Sequence, residues 1–448
     1  MNAMFRSLAG VNYRIWFAGA LISNVGTWMQ RTAQDWFVLT ELTDNDAAAV
    51  GVTMALQFGP ALIIGPLAGI IADRMPGRRL LAITQIAQAL LALALGLIIV
   101  LGIAELWMVY LLALGLGIAT AVDAPARQTF VGELVGTADL PNAVALNSAS
   151  FNTARLIGPA AAGLLTVLVG AGWVILINVL TFAAMLVALG LLREAELQPM
   201  QKTTRGRGQL RAGFQYVARR ADLVVVFTMV FLVGTFGFNF AIFTATMARV
   251  EFGRDAAEFG LLSSILAIGS VVGALLSARR ERPRLRVIVL AAIGFAGSMV
   301  VAALMPTIEF FALALIPIGF FALTMITSAN AYVQTTTRAS IRGRVMALYL
   351  TIFMGGTPIG APLLGLVANE LGARWAMGVG ALAGLLAAVV AVLWMRSTRN
   401  LRIRRHPAAD PWWRLRVRYD GDDVERRELD LETATQEIAI VEAEARKT

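Results

Sequence analysis

The chain has 448 residues, 58% of them apolar and only 15% charged, with a formal net charge of +9. That balance marks a membrane protein, and its basic excess lies in short loops between apolar runs, as membrane orientation requires, which argues against nucleic acid as the partner. With no cysteine and a single histidine, His406, thiol chemistry, histidine catalysis and in-membrane metal or haem ligation drop out, so neither an enzyme nor a cofactor is expected.

The apolar runs, taken in order, predict an all-α membrane protein. Each is long enough to cross a hydrocarbon core of ~30 Å. The first, 15–39, begins apolar and turns polar through Asn24, Thr27, Trp28, Gln30, Arg31, Gln34, Asp35 and Trp36; one face must meet protein or water. No cleavable leader is expected, because this run is too long and too polar at its end. An acidic loop, 41–46, precedes the second run, 50–72. The stretch 65–79, GPLAGIIADRMPGRR, then makes a tight cationic turn into the third run, 80–102. The fourth, 106–131, carries Asp123 and Arg127 near one end, and the fifth, 142–169, carries Asn147, Asn152 and Arg155. The sixth covers 172–192.

Residues 193–221 are polar and basic and read as a cytoplasmic linker, with a short interfacial helix expected at 213–218. Six further runs follow, at 223–247, 259–278, 285–304, 310–336, 345–369 and 375–394. The predicted organisation is a six-helix bundle over 1–192, the linker 193–221, a second six-helix bundle over 222–395 and a cytoplasmic tail, 396–448. Basic loops fall on one side and Glu41, Asp44, Asp46, Glu105, Glu309 and Glu370 on the other, which places both termini inside. The tail is basic with Trp412 and Trp413, suiting an anionic inner leaflet, then acidic, with a helix expected at 432–446.

The halves look repeated. A shift of 202 positions superposes Gly117 on Gly319, Gly158 on Gly360 and Gly163 on Gly365, a pattern expected of two parallel six-helix repeats with a site between them at mid-membrane.

Few ionisable residues fall inside the runs, and each needs a partner or a role because burying one in lipid is costly. Asp35 with Arg31, and Asp123, are the candidate proton-coupling residues. Asp35 lies about 20 residues, or ~30 Å, along its helix, near the outer end. It reads either as a proton acceptor in a cavity or as an inert partner of Arg31 one turn back. Asp123 reads as a local partner of Arg127, with a second possibility below. Trp28, Gln30, Asn147, Asn152, Phe236, Asn239, Asn330 and Gln334 are the candidate lining of an apolar cavity with sparse polar groups, suited to an amphiphilic ligand. Phe238 and Tyr332 belong to the same set.

The turn resembles the signature loop of the major facilitator superfamily, G-x-x-x-D-R-x-G-R-[KR]: Gly69, Asp73, Arg74, Arg78 and Arg79 match, while Pro76 occupies the usual glycine place and Gly77 comes one late. The resemblance implies a twelve-helix fold and a conformational latch of Gly69, Asp73, Arg74, Arg78, Arg79, Asp123 and Arg127, in which Asp73, Arg78 and Asp123 pair at the inner side. The run R-L-I-G-P-A-A-A-G at 155–163 resembles the fifth-helix antiporter motif through Arg155, Gly158, Pro159 and Gly163, with Ala162 where that motif has glycine. N-Y-R-I-W-F-A-G at 12–19, G-T-W-M-Q at 26–30 and D-A-P-A-R-Q at 123–128 resemble the bacterial enterobactin-exporter and macrolide-efflux-like branch.

By that resemblance the protein is a secondary transporter of the bacterial inner membrane. It would export drug- or siderophore-like amphiphiles by alternating access, with a proton gradient as energy source and lipid and small molecules as partners, and act as a monomer. The alternatives are an uncoupled or importing facilitator and a membrane sensor or scaffold acting through its tail.

Overall fold

The computed structural model describes residues 3–198, 209–278, 284–399, 402–405 and 415–418. In hydrocarbon every backbone polar group must find a partner within its own segment, and the apolar runs accordingly become helices. In chain order they are α1 (Val11–Phe37), α2 (Ala47–Arg74), α3 (Gly77–Val100), α4 (Leu106–Gly136), α5 (Asn142–Val169), α6 (Ala171–Leu191), α7 (Gln209–Ala218), α8 (Ala221–Glu251), α9 (Ala256–Ala278), α10 (Leu285–Ala303), α11 (Ile308–Thr336), α12 (Ala339–Leu371) and α13 (Ala373–Arg399).

Among the described residues, eleven helices are long and apolar enough to cross a membrane. The 27-residue α1 reaches ~40 Å and is long enough, but its polar second half keeps it out of that set. With it the count matches the twelve runs of the sequence.

Local chemistry explains the boundaries. Asp46 caps α2 by accepting from the amides of Ala48 at 2.8 Å and Ala49 at 3.1 Å. The cationic turn is short: Met75 follows the last residue of α2, and Pro76 is the N-cap of α3. Gly77 is buried against Phe130, so the glycine that comes one place late is the one the packing needs. Between α4 and α5 the chain bends at Gly136, whose φ of 68° and ψ of −178° only glycine adopts without strain.

The chain forms two compact units, Met1–Ala387 and Ala388–Thr448. In the first, α1 packs on α4, α5 and α6, α2 on α4, and α3 on α6; in the later half, α8 packs on α12, and α11 on α9 and α10. The glycines that superpose in the repeat explain this correspondence. Gly117 lets α4 touch the backbone of α2 at Leu56 and Gln57, and Gly319 lets α11 touch that of α9 at Leu266. Gly158 brings α5 onto α1 at Trp28 and Val25, and Gly360 brings α12 onto α8 at Thr235. Gly163 then meets α9 at Ala256, while Gly365 meets α2 at Ala47. The first two pairs thus do the same job within each half and the third does it between the halves, packing small surfaces where lipid offers no hydrophobic drive. The first helix of each half also ends alike, in a π turn: Val38–Leu42 after α1 and Met247–Glu251 at the end of α8.

The linker helix α7 starts at Gln209, four residues before its expected start, and Gly213 seats it against the backbone of Arg344. Within the second unit the tail forms an antiparallel strand pair that no helical reading anticipates, Arg402–Arg405 with Leu415–Arg418. The alternating R-I-R-R and L-R-V-R patterns were the available signal. The helix expected at 432–446 and the tryptophans 412 and 413 lie outside the described residues.

Candidate functional site

Hydrogen bonds join the two halves at the end that carries the acidic loops. Asn369 on α12 donates to Asp46 at 2.6 Å and accepts from the Ala47 amide at 2.8 Å. Arg249 donates to Asn45 at 3.2 Å. Slightly deeper, Trp36 stacks on Phe259 at 5.6 Å between ring centroids, and Ser264 on α9 donates to the Leu156 carbonyl on α5 at 2.7 Å. These contacts close this end. A cavity of about 80 Å³ remains between Asn45, Thr246, Val250 and Asn369. That is too small for an organic substrate, since such sites run to ~300 Å³ or more. Toward the other end the ion pairs Arg78–Glu194 and Arg220–Asp222 each stay within one half.

Beneath the closed end lies a cluster that combines charge, aromatic surface and burial. Asp35 is 5% exposed, and its Oδ1 has no hydrogen-bond partner. Arg31, one turn back on α1, is not within ion-pair range of it, and its Nε is buried and unpartnered. The Arg31 guanidinium instead lies between two rings, 4.8 Å from the centroid of Phe58 and 5.6 Å from that of Trp28. Arg155 on α5 approaches the same Trp28 ring at 5.7 Å, and Phe151 meets it edge-on at 5.8 Å. The cause is local: Gly158, three residues after Arg155, allows α5 to press on α1 at Trp28, so a mid-membrane arginine arrives at the indole. Contacts of this kind are worth ~0.5–2 kcal/mol each but supply no hydrogen-bond acceptor. Arg31 therefore has one acid a turn away on its own helix, Arg155 has no ion-pair partner among the described residues, and the cluster holds donors in excess of acceptors.

The second titratable candidate behaves differently. Asp123, also 5% exposed, is fully engaged: Thr84 donates to it at 2.6 Å, Gln85 at 2.9 Å and Arg127 at 2.5 Å. Arg127 also lies 5.9 Å from the Trp16 ring and donates to Ser23 at 3.4 Å. The expected Arg78–Asp123 contact is not made. Arg78 donates to the Leu189 carbonyl at 2.7 Å and the Gly190 carbonyl at 3.2 Å, and pairs with Glu194. Its place at the start of α3 brings it to the end of α6, whose last carbonyls have no helical partner. Gly69 is buried, while Arg74 and Arg79 are exposed. The Asp73 side chain lies outside the described residues.

The candidate lining residues separate into groups. Trp28 and Phe236 are half-buried, Asn147 likewise, and Asn152 is exposed beside Phe151 on α5. On α11, Gln334 is exposed and donates to Asn330 at 2.7 Å, one turn away. Two others are misplaced by the sequence reading. Gln30 is 2% exposed and accepts from Asn178 at 2.6 Å, because residues 23, 27, 30 and 34 of α1 share the face that packs within its own half. Asn239 is fully buried and donates back to the Thr235 carbonyl at 2.6 Å where α8 is interrupted. The antiporter-motif residues Gly158, Pro159 and Gly163 are buried at helix contacts, and Arg155 is the member that reaches the cluster.

The sequence reading passed over Phe58, Phe151, Asp222 and Glu194. Aromatic residues on apolar helices carry no signal of their own. Asp222 lay one residue outside its expected helix; it accepts from Arg220, two residues before it, at 2.7 and 2.9 Å, and only the fold brings it to the Tyr332 hydroxyl at 3.0 Å. That carboxylate holds the Arg220 guanidinium above its ordinary range through the hydrogen bonds they share.

Comparison with known proteins bears on this geometry. The family model described as transmembrane secretion effector matches residues 3–415. The staphyloferrin A transporter of Staphylococcus aureus is 23% identical over 364 residues, 80% of this chain and 90% of that protein. The multidrug efflux pump Tap of Mycolicibacterium fortuitum is 25% identical over 401 residues, 87% and 96% of the two chains. The enterobactin exporter EntS of Shigella flexneri is 26% identical over 335 residues, 73% and 78% of the two.

Proposed function

Because the chain belongs to the transmembrane secretion effector family and is a multi-pass transporter of the major facilitator type, we propose that it is a secondary active exporter of small amphiphilic organic molecules, working across the bacterial inner membrane by alternating access and proton antiport. Both termini are then cytoplasmic, and the closed end faces outward. The observation that carries the reading is Asp35: buried, unpartnered, and beneath the outer closure. In lipid an acid so placed needs a role. A carboxyl with no fixed partner can take and release a proton as the two faces of the site open in turn, whereas Asp123, held by three donors, serves as a structural tie. The relatives named as a siderophore transporter, a siderophore exporter and a multidrug pump support an organic substrate moved by this class of protein.

The loop arginines contribute differently from a three-way latch. Arg78 binds the end of α6 and Glu194, tying the turn to the chain that leads into the linker. Rocking of one half against the other would leave this tie intact and break the Asp46–Asn369 contact.

Substrate-dependent proton release from everted vesicles tests the proposal. Wild-type protein is expected to release protons when given its substrate, and Asp35→Asn to bind substrate without proton release. Coupling that survives in Asp35→Asn removes Asp35 as the carrier, and transport indifferent to the proton gradient removes antiport.

A further inference from the structure

The cluster under the closed end carries a charge asymmetry that a general amphiphile site does not need. Arg31 and Arg155 come from different helices and meet the same indole, with guanidinium carbons at 5.6 and 5.7 Å from its centroid. Neither makes an ion pair or a hydrogen bond to a described group, and the Arg31 Nε is buried and unpartnered. Asp35 is the one acid of the cluster and leaves its own Oδ1 unpartnered. A guanidinium has five N–H donors in a planar fork and is hardly ever deprotonated, so ring contacts leave most of its hydrogen-bonding capacity unused. The net charge of the cluster is positive, from two guanidiniums against one carboxylate.

We infer that Arg31 and Arg155, together with the faces of Trp28 and Phe58, form a seat for an organic anion: the acidic group of an aryl-bearing amphiphile sits between the two guanidiniums and its apolar body lies on the rings. The inference rests on the exporter reading for its meaning in transport, though not for the existence of the seat. Phe151, which meets Trp28 edge-on, is 46% exposed and lies one turn before Arg155 on α5, so it extends the aromatic surface of the seat to the exposed face of that helix. Carboxylates and phenolates match the guanidinium fork. A cationic amphiphile of the same size meets two like charges in a poorly screened site. Asp35, one turn from Arg31 on α1 and beyond ion-pair range, acts on that guanidinium through its charge, so an ionised Asp35 opposes the bound anion, which gives substrate and proton a shared residue.

The test compares three ligands of one shape: 2-naphthoate, neutral 2-naphthamide and cationic 2-naphthylmethylammonium. Binding to the purified full-length protein in nanodiscs is measured by calorimetry, with empty nanodiscs as blank. Naphthoate is expected to bind at least tenfold tighter than the ammonium, with the amide between. Arg155→Gln and Arg31→Gln each abolish that preference, Arg155→Lys keeps most of it, and Asp35→Asn strengthens naphthoate binding. Equal affinities, no measurable naphthoate binding, or a preference unchanged in both glutamine variants overturns the inference. Should one glutamine variant fail to fold by size exclusion, the wild-type preference and the other variant still decide. The measurement uses no gradient, so a seat that discriminates in a protein that moves nothing sinks the exporter reading alone.

Discussion

At the residue scale, what a charged side chain touches decides its worth more than its place in a motif. Arg78 matches a signature loop, yet its acidic partner Glu194 is 75% exposed, and pairs so open to solvent contribute ~0–1 kcal/mol. Asp123 matches no consensus so well, yet it is buried and accepts from three donors. Asp123→Ala leaves Arg127 without its buried counter-charge and is expected to cost about 3–5 kcal/mol. Glu194→Ala is expected to cost under about 1 kcal/mol. Thermal unfolding in detergent should rank the two clearly, and equal melting temperatures would mean that the Asp123 cluster contributes little. Asp222 offers the matching test in the later half. It is 6% exposed and binds Arg220 and Tyr332, so Asp222→Ala is expected to lower stability by about 1.5–3 kcal/mol, the range for hydrogen bonds to a charged group.

At the element scale, glycine and polar residues determine how closely helices approach and which face is lined. A side chain at Gly158 would strike Trp28 and Val25 on α1, and one at Gly360 would strike Thr235 on α8. Gly158→Leu and Gly360→Leu are expected to destabilise by about 1–3 kcal/mol each, the usual cost of overpacking. Gly158→Leu should in addition displace Arg155 from Trp28, while Gly360→Leu leaves that cluster in place. Naphthoate calorimetry on the two variants separates the effects: loss of binding in Gly360→Leu alone would contradict this division. The same scale explains α1. Its residues 23, 27, 30 and 34 bring polar atoms to one packed face, while 28, 31 and 35 lie on another, so two polar functions share one helix without mixing.

At the scale of the whole molecule, the halves meet through a closed end and hold a charged cluster beneath it. The Asp46–Asn369 hydrogen bond spans the closure at 2.6 Å. The sequence contains no cysteine, so a pair placed at 46 and 369 is the sole pair that can form. Cysteines at these positions are expected to cross-link rapidly without substrate and to arrest transport once linked, with reduction restoring it. Fast cross-linking that leaves transport untouched would show that this end does not open.

The sequence by itself determined how many helices there are, where most of them begin and end, and the repeat, because apolar length, turn residues and glycine spacing are local properties that lipid enforces along each segment. It also named Arg31, Asp35 and Arg155 as unusual, since an ionisable residue in an apolar run is conspicuous wherever it points, and Trp28 as part of the polar run around them. It could not say which of them meet. Gln30 and Asn239 looked like lining residues and proved to be packed inside, and Arg78 and Asp123 looked like partners and found others. Those outcomes depend on helix rotation and on contacts between residues more than 100 positions apart, as between Arg155 and Trp28. Close packing at a few glycines decides them, and only the tertiary structure contains that information.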